Sequence, residues 1–418
     1  MPATVSIDWE RTLSTKGSTR GTGYAASNKI ITQDGLIHAG WLDTFGINRV
    51  QTLDSGGQPV TEPITVGEGP DNHCGHAITI DQEGHLHWIV GRHHRNPFLH
   101  RRSRFAADAR WWSEPNLTGG DNPTYPSIVC DKENTLHLVY RLSYHTPHEP
   151  KNYNPSFTLA YQRKLDGHPW TPPVDLVVAD TPDGYTQFGA SLTVDIGGRV
   201  HLGFHIYDDT KTKRGHTLGY LVSADCGNTW TKADGKEMPL PAGKHTADIL
   251  ESSDDIDVRV SNVVADSQSH PHLLACHRET GDNVLWSHDG SEWSSTGLLS
   301  ALRQKQPNRA FSMDCCISID GSDNLYVSTQ VVDDPSQWGD VSSEVVLLFR
   351  PGGDDGFQVL PISEPDPTTP NWLPNLERIA SSHQSMSVPH LLYTHGTRGV
   401  GCESEDYNDI RLVQLALS

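Results

Sequence analysis

The sequence lacks an excess of basic residues. It holds 32 Lys and Arg against 52 Asp and Glu, which gives a formal net charge of −20. A chain without a basic excess cannot release many counterions from phosphates, so we expect no nucleic-acid partner, and an anionic membrane surface is disfavoured. An acidic polysaccharide stays compatible, because Arg and His clustered in one cleft can be locally positive on an acidic protein.

Long apolar runs are also missing. No stretch is long enough to span a bilayer, so we expect no membrane partner. The first residues, MPATVSIDWE, have neither the basic nor the apolar region of a signal peptide. We therefore expect either a cytoplasmic protein, or a secreted or periplasmic protein whose leader has been removed.

Cysteine is scarce and unevenly placed. The seven Cys are odd in number and irregular in spacing, which argues against a disulfide framework. Most fall on predicted strands, where a free thiol behaves as a small apolar side chain. Helical patterns are few, whereas 37 Gly, 27 Pro and many short β-branched runs favour an all-β chain.

What the sequence does contain is a repeated phrase: an apolar strand, an Asp, a polar turn, and a second strand whose His follows the Asp by six residues. The copies are Asp81–His87, Asp131–His137, Asp195–His201, Asp266–His272, Asp320–Tyr326 with Tyr in place of His, and looser copies around His38 and His390. The marked positions recur every 49 to 71 residues. Seven such copies predict an all-β, seven-bladed β-propeller with one four-stranded sheet per blade, in which the repeated His are structural.

One blade cannot bury both of its faces, so we expect a single domain spanning residues 1–418. The predicted blades are 24–69, 71–121, 122–180, 185–235, 254–299, 310–363 and 370–418. The orphan strand 5–13 would complete the last blade and remove two unpaired edges. Stretches 147–155, 239–255 and 351–369, rich in Pro and Asp, are predicted to be loops. The segment SADCGNTW at 223–230 matches the Asp-box of propeller outer hairpins.

The position of the repeated turn predicts which residues meet. Residues six to eight before each Asp, and ten to twelve after it, lie at the end of the hairpin opposite the turn, and these ends converge around the central axis. The side chains at or beside these positions are His73, Arg92, His93, His94, Tyr125, Arg141, Gln187, His205, Arg259, Arg278, Asp314, Arg378 and His395. One mouth of the ring is thus predicted to be rich in His, Arg and Tyr.

This set of side chains suits a particular chemistry. A guanidinium can hold and neutralise a carboxylate, and a Tyr or His can move a proton, which contributes about 10²–10⁴ in rate. Together they suit removal of the C5 proton of a uronic acid, followed by β-elimination at O4. An ordinary glycosidase needs two carboxylates, and the mouth offers only Asp314 at a matching position.

Two stretches of sequence resemble a known family. Asp71-Asn72-His73, with Arg92-His93-His94-Arg95-Asn96-Pro97 beginning 19 residues after His73, is similar to the corresponding stretch of BNR-4-type propeller proteins, a group that includes ulvan lyases and rhamnosyl-glucuronate lyases. Tyr125-Pro126 and Tyr140-Arg141 match the next motif. The resemblance covers residues 71–141. Cys74 stands where the family has Asn, and 142–148 differs from the family's Gly- and Ser-rich stretch, which leaves the polysaccharide open.

The resemblance implies roles for individual residues. Tyr125 would transfer the proton, Arg141 would neutralise the uronate carboxylate, and His73 and His93 would line the catalytic subsite. We assign the other cationic or polar mouth residues to substrate binding: His94, Arg92, Gln187, His205, Arg259, Arg278 and Arg378. The expected protein is a monomer that acts on an acidic polysaccharide or oligosaccharide and requires no cofactor.

Three alternatives stay open. A hydrolase that removes terminal rhamnose from rhamnosyl-glucuronate could use the same scaffold, and so could a propeller that binds glycans without catalysis. His73, Cys74, His76, His93 and His94 are rich in potential ligands, but their spacing is no standard zinc pattern, so we expect no catalytic metal. A structural metal ion is compatible with the sequence, with Cys276 and His277 as candidate ligands.

Overall fold

The computed structural model describes residues 3–93, 96–143, 157–180, 186–210, 213–398 and 407–418. These residues form seven antiparallel sheets arranged as a β-propeller. Within those ranges, no helix combines the length and the apolar character needed to cross a bilayer.

The strands follow one another blade by blade. After β1 (Val5–Gly17), blade 1 contains β2 (Ile30–Gln33), β3 (Leu36–Leu42), β4 (Ile47–Asp54) and β5 (Ile64–Glu68). Blade 2 contains β6 (Ala77–Ile80), β7 (Leu86–Val90), β8 (Phe98–Phe105), β9 (Asp108–Trp112) and β10 (Asn116–Thr118). Blade 3 contains β11 (Pro123–Cys130), β12 (Leu136–Ser143), β13 (Phe157–Lys164) and β14 (Val174–Val177). Blade 4 contains β15 (Thr186–Val194), β16 (Val200–Thr210), β17 (Lys213–Ser223) and β18 (Asp248–Ser253).

The remaining three blades repeat the pattern. Blade 5 contains β19 (Val258–Ala265), β20 (Pro271–His277), β21 (Asp282–His288) and β22 (Trp293–Gly297). Blade 6 contains β23 (Ala310–Ile319), β24 (Leu325–Val332), β25 (Glu344–Arg350) and β26 (Gln358–Pro361). Blade 7 contains β27 (Asn371–Leu376), β28 (His390–His395) and β29 (Asn408–Leu417), and β1 pairs with β29 as its fourth strand. The helical pieces are a 3₁₀ turn (Thr44–Gly46) and α1 (Leu299–Arg303).

The predicted seven-bladed fold is confirmed, with one blade boundary misplaced. Blade 4 was expected to end near residue 235, but its fourth strand β18 lies at 248–253, inside a stretch predicted to be loop. Likewise β26 lies inside the predicted loop 351–369. Both are edge strands with largely half-buried residues, so they lack the apolar alternation by which the inner strands are recognised.

The hydrophobic core is divided among the blade interfaces. The buried side chains of the described residues form seven clusters, and each draws its residues from two consecutive blades, except that Ala380 of blade 7 joins the cluster between blades 1 and 2. The cluster between blades 3 and 4, for example, packs Tyr161 edge-on against Trp230 of the Asp-box, with ring centroids 5.4 Å apart. Stability therefore comes from stacking neighbouring sheets, as expected when each sheet alone would leave a face exposed.

The repeated Asp and His form one hydrogen-bonded unit in each blade that carries them. In blade 3, Oδ1 of Asp131 accepts the backbone N–H of Glu133 and Thr135 at 3.0 and 2.8 Å. Its Oδ2 lies 3.0 Å from Nε2 of His137. Because a carboxylate only accepts, the imidazole donates from Nε2, and its Nδ1 forms a second hydrogen bond of 2.7 Å with the hydroxyl of Tyr161. The unit closes the turn and fixes the register of the hairpin.

The same unit recurs with different outer partners. The corresponding pairs are Asp81 with His87, Asp195 with His201, and Asp320 with the hydroxyl of Tyr326. In blade 5 the pair is looser, because Oδ2 of Asp266 lies 3.7 Å from Nε2 of His272. Blade 7 departs from the pattern, because Nδ1 of His390 donates to Glu377 at 2.7 Å. Glu377 also accepts the backbone N–H of Thr32 at 2.7 Å, which ties blade 7 to blade 1.

Replacing Asp131 with Ala tests this unit. The change leaves two backbone N–H groups and one imidazole N–H buried without acceptors, so we expect the free energy of unfolding to fall by about 3–5 kcal/mol, measured by urea denaturation. Asp166→Ala, at an exposed turn of the same blade, should change it by less than about 0.5 kcal/mol. Equal effects of the two substitutions would contradict the structural role of Asp131.

Candidate functional site

The inner strands of four blades are irregular at the mouth of the ring. The register breaks between Thr124 and Ser127 in β11, and similar breaks occur in β19, β23 and β27. Within the break of β11, Tyr125 has φ of 56°, a left-handed conformation that is uncommon for a non-glycine residue. Bulges of this kind re-aim side chains. They explain why Tyr125 and Asp314 both line the central cavity.

Asp71 organises two histidines of blade 2. Its Oδ1 accepts the backbone N–H of His73 at 2.7 Å, and its carbonyl accepts the N–H of Cys74 at 3.3 Å, so residues 71–74 form a tight turn. Oδ2 of Asp71 accepts Nδ1–H of His93 at 2.6 Å, and Oδ1 lies 3.3 Å from Nδ1 of His73. The two imidazoles stack, with centroids 4.5 Å apart.

This geometry sets the protonation pattern of the pair. Burial opposes ionisation of Asp71, but the hydrogen bonds from His73 and His93 hold the pKa of its carboxyl well below the usual range. Burial lowers the pKa of His73, which favours a neutral ring. Since Nδ1 of His93 donates to Asp71, the lone pair of a neutral His93 lies on Nε2.

Tyr125 and Arg141 complete the cluster. The ring of Tyr125 lies 6.5 Å from that of His93, and the guanidinium carbon of Arg141 lies 4.6 Å from the centroid of the Tyr125 ring. Arg141 is 2% exposed and donates from Nε to Oγ1 of Thr124 at 2.8 Å. The four residues that the sequence predicted to be catalytic thus lie in one contiguous cluster. Their roles stay a prediction.

The sequence analysis did not identify the segment between β1 and β2, residues 18–29, as part of the mouth. Within it, Nη1 of Arg20 donates to the hydroxyl of Tyr24 at 2.7 Å, and Tyr24 stacks on Tyr125 with centroids 5.0 Å apart. Burial raises the pKa of Tyr24. The positive φ of Tyr24, 68°, turns the chain here. The segment carries no part of the repeated phrase, so the pattern that located the other mouth residues gave no signal for it.

A central cavity of about 310 Å³ lies beside this cluster. Its polar lining includes Arg20, Tyr24, Tyr125, His205, Arg259 and Asp314, with Trp338 on the wall. Oδ2 of Asp314 accepts Nε1–H of Trp338 at 3.0 Å, and burial raises the pKa of Asp314. The cavity is therefore lined by two guanidinium groups, an indole, and a carboxyl group whose protonated form is favoured.

The predicted substrate-binding residues fall into three groups. His205 and Arg259 line the cavity: Nδ1 of His205 accepts the N–H of Val260 at 3.1 Å, and burial lowers its pKa to about 3. Arg259 donates to both carboxylate oxygens of Asp257, at 2.8 and 2.7 Å. His94 and the side chain of Gln187 lie outside the described residues.

The other three predicted residues are not among the described side chains that line this cavity. Arg278 donates to the carbonyl of Ser336 at 2.9 Å. Arg378 is 3% exposed, donates to the carbonyl of Ala25 and to Sγ of Cys316, and borders a different cavity of about 360 Å³. Arg92 is half-buried, and its Nε has no hydrogen-bond partner among the described residues.

Two groups of described residues could hold a metal ion: Asp71 with His73 and His93, and Asp131 with Glu133 and Cys226. Each already forms hydrogen bonds among or beside its members. Cys276 and His277, the pair considered from the sequence, face opposite ways along β20. Cys276 lies against Cys315, and Nε2 of His277 lies 3.0 Å from Glu251, so the two cannot share an ion.

The fold and the mouth define a seven-bladed propeller with a polar central cavity flanked by an imidazole, phenol and guanidinium cluster. The chain belongs to the BNR repeat-containing family BNR_4, whose model matches residues 36–299. The predicted family resemblance is confirmed. Among curated proteins, none matches the sequence.

Solved structures give the same fold. A PL25 ulvan lyase is 13% identical with a TM-score of 0.70 over 96% of this chain and 94% of that one, as is its form bound to -[GlcA(1-4)Rha3S]-. The polysaccharide lyase Uly1 is 11% identical with a TM-score of 0.61, over 97% and 99% of the two chains. The BP39L lectin from Burkholderia pseudomallei is 11% identical with a TM-score of 0.54, over 98% and 96%. At these identities the likeness establishes the fold.

Replacing Asp71 with Asn tests the organisation of the histidine pair. The carboxylate can only accept from Nδ1–H of His93, whereas an amide can also donate, so we expect His93 to change from one tautomer to a mixture. Imidazole ¹⁵N spectra report the tautomer directly, with His93→Gln assigning the signal. Asp314→Asn, in the same mouth but without contact to either histidine, should leave that signal unchanged. An Nε2–H tautomer in the unmodified protein would contradict the geometry.

Proposed function

We propose that this protein is a polysaccharide lyase that cleaves rhamnose–glucuronate linkages by β-elimination, leaving a 4,5-unsaturated uronate. The observation that carries the proposal is the position of Tyr125 between the Arg141 guanidinium and the ring of His93, which stacks on His73, at the edge of the central cavity. Proton transfer, charge neutralisation and sugar binding are thereby available at one place. The family and the propeller lyases of similar fold favour the same reaction class.

The reaction needs a stabilised carbanion. Removing the C5 proton places negative charge on the uronate carboxylate, so a guanidinium held beside that group lowers the barrier more than it lowers the energy of the bound substrate. We assign this role to Arg141. Arg20, which lines the cavity beside Tyr24, brings a second guanidinium to the same mouth.

We assign proton transfer to the phenol and imidazole groups of the cluster. Tyr125 takes or returns the proton, as base, acid or both. His93, with Nδ1 tied to Asp71, offers Nε2 as a partner in the transfer, and His73 stacks against it and orients the sugar. The leaving oxygen, O4, departs with a proton, so no water is consumed.

The substrate we favour is an ulvan-type acidic polysaccharide. Arg20 and Arg259 line the cavity and suit a chain that carries carboxylates or sulfates, on a protein whose net charge is otherwise −20. The PL25 lyase of similar fold was solved with a glucuronate–sulfated rhamnose unit. Binding residues proposed on this basis are His205 and Arg259, which line the cavity. The other residues that the sequence assigned to binding, Arg92, His94, Gln187, Arg278 and Arg378, stay predictions from the sequence without support from the cavity lining.

A hydrolase is the second candidate, and Asp314 is the observation that favours it. Burial raises the pKa of this carboxyl, as a general acid requires, and it lines the same cavity as Tyr125.

Incubation with rhamnosyl-glucuronate chains separates the two reactions, because only elimination produces a conjugated double bond that absorbs ultraviolet light. New reducing ends without absorbance would establish hydrolysis, and unchanged chains would indicate a binding protein such as a lectin.

Tyr125→Phe and Arg141→Ala test the assigned roles. Each should lower the rate of absorbance increase on ulvan by about 100-fold or more, because each removes a group required in the transition state. Circular dichroism should stay near that of the unmodified protein in both variants. The unfolding midpoint should fall in Arg141→Ala, because that side chain is buried and donates to Thr124, so activity is assayed well below the midpoint.

The matched controls are Arg110→Ala, exposed on β9 at the turn end of blade 2, and Tyr393→Phe, whose hydroxyl donates to Glu10 of β1 at 3.2 Å. These variants should retain full activity. Near-full activity in Tyr125→Phe would exclude the phenol as the proton-transfer group, and loss of activity in Arg20→Ala but not in Arg141→Ala would transfer carboxylate binding to Arg20.

A further inference from the structure

Two free thiols face each other across the interface of blades 5 and 6. Cys276 lies on β20 and Cys315 on β23, and their Sγ atoms are 3.1 Å apart. Both are free and buried, with 2% and 1% of their surface exposed. They belong to the apolar cluster between the two blades, where strands from different sheets pack together.

The positions of the two sulfur atoms favour a bond. They are closer than two sulfur atoms in simple van der Waals contact, and a disulfide requires them to approach to about 2.05 Å. Sγ of Cys276 also lies 2.7 Å from the carbonyl oxygen of Met313, so the thiol is confined on a second side. Cys315 follows the irregular stretch of β23, where the backbone is not held in a regular ladder and can adjust.

The central cavity provides the route for a reagent. Cys315 forms part of the cavity wall, together with Met313 and Asp314. Burial raises the pKa of the Cys315 thiol well above its usual value, so its reactive thiolate is scarce at neutral pH and becomes more abundant as the pH rises. A small oxidant that enters the cavity therefore reaches this pair slowly at neutral pH and faster in alkaline solution.

We propose that Cys276 and Cys315 are a site of oxidative modification, where a low-molecular-weight disulfide oxidises the two thiols to a protein disulfide that links blade 5 to blade 6. The thiolate of one cysteine attacks a sulfur of the reagent and expels one thiolate. The second cysteine then attacks the mixed disulfide and expels the other. Two S–H bonds are lost, one S–S bond forms, and the two electrons and two protons leave with the reagent, which is reduced to two thiols.

The cross-link changes the contacts of residues that form the wall of the central cavity. Cys276 currently donates its S–H toward the carbonyl of Met313, and oxidation removes that donor. The same short stretch of β23 carries Asp314, whose carboxylate accepts from Trp338. The modification thus joins the irregular stretch that shapes the cavity to the neighbouring blade, whichever reaction the cavity supports.

The test is a thiol count on the full chain with 2-hydroxyethyl disulfide as the reagent. After incubation at pH 9, denaturation and alkylation, we expect the number of free thiols to fall from seven to five, and to return to seven on reduction. Peptide mass spectrometry should find a cross-link that contains Cys276. A protein that shows five thiols and the same cross-link before treatment, reversible by reduction, supports the proposal equally.

Two variants identify the partner. No Lys or Arg separates Cys315 from Cys316, so trypsin leaves both in one peptide. Cys316→Ser should retain the cross-link and Cys315→Ser should abolish it. Seven free thiols after prolonged treatment of the unmodified protein, or a cross-link that survives in Cys315→Ser, would overturn the proposal. None of these readouts depends on lyase activity, so failure of the proposed function leaves the test intact.

Discussion

The interaction on which the fold depends is the hydrogen bonding of an Asp carboxylate at the inner hairpin of blades 2 to 6. One oxygen of the Asp accepts backbone N–H groups of the turn, and the other accepts the imidazole six residues later. A buried carboxylate is tolerated only when its lone pairs are satisfied, and here the partners are the groups that define the turn. The hairpin register is thereby fixed in blade after blade, and with it the residues that reach the mouth.

At the mouth end of the ring, the hairpin register of the inner strands is irregular. Four inner strands break register there, and Tyr125 and Leu373 have positive φ within the breaks. Such conformations cost roughly 1–3 kcal/mol each and persist only where the surrounding structure enforces them. The regular part of each blade supplies that enforcement, so a rigid scaffold carries an irregular rim on which polar side chains converge.

Electrostatics at the rim differ from those of the whole molecule. The chain carries a net charge of −20, yet Arg20, Arg141 and Arg259 surround the region of Tyr125 and the cavity. Asp257 and Asp71 are each engaged by a cation or by imidazoles, and burial favours the protonated form of Asp314. A local positive field of this kind is what an acidic glycan would meet, and it is invisible in the total charge.

The sequence by itself determined the seven-bladed ring and the proximity of His73, His93, Tyr125 and Arg141, because strict hairpin spacing translates distance along the chain into position on a blade. The tertiary structure alone decided the rest of the mouth. Arg20, Tyr24 and Trp338 come from segments outside the repeat, so no spacing predicts them. Arg278 follows β20 at the expected strand end, but it donates to a backbone carbonyl of a neighbouring segment. Arg378 was misplaced, because it follows β27 at the turn end of the blade 7 hairpin, where it donates to the carbonyl of Ala25. The spacing of the repeat in the sequence predicts the position of a residue along a strand. The direction of its side chain is set by bulges and by the segments packed against it, which only the tertiary structure shows.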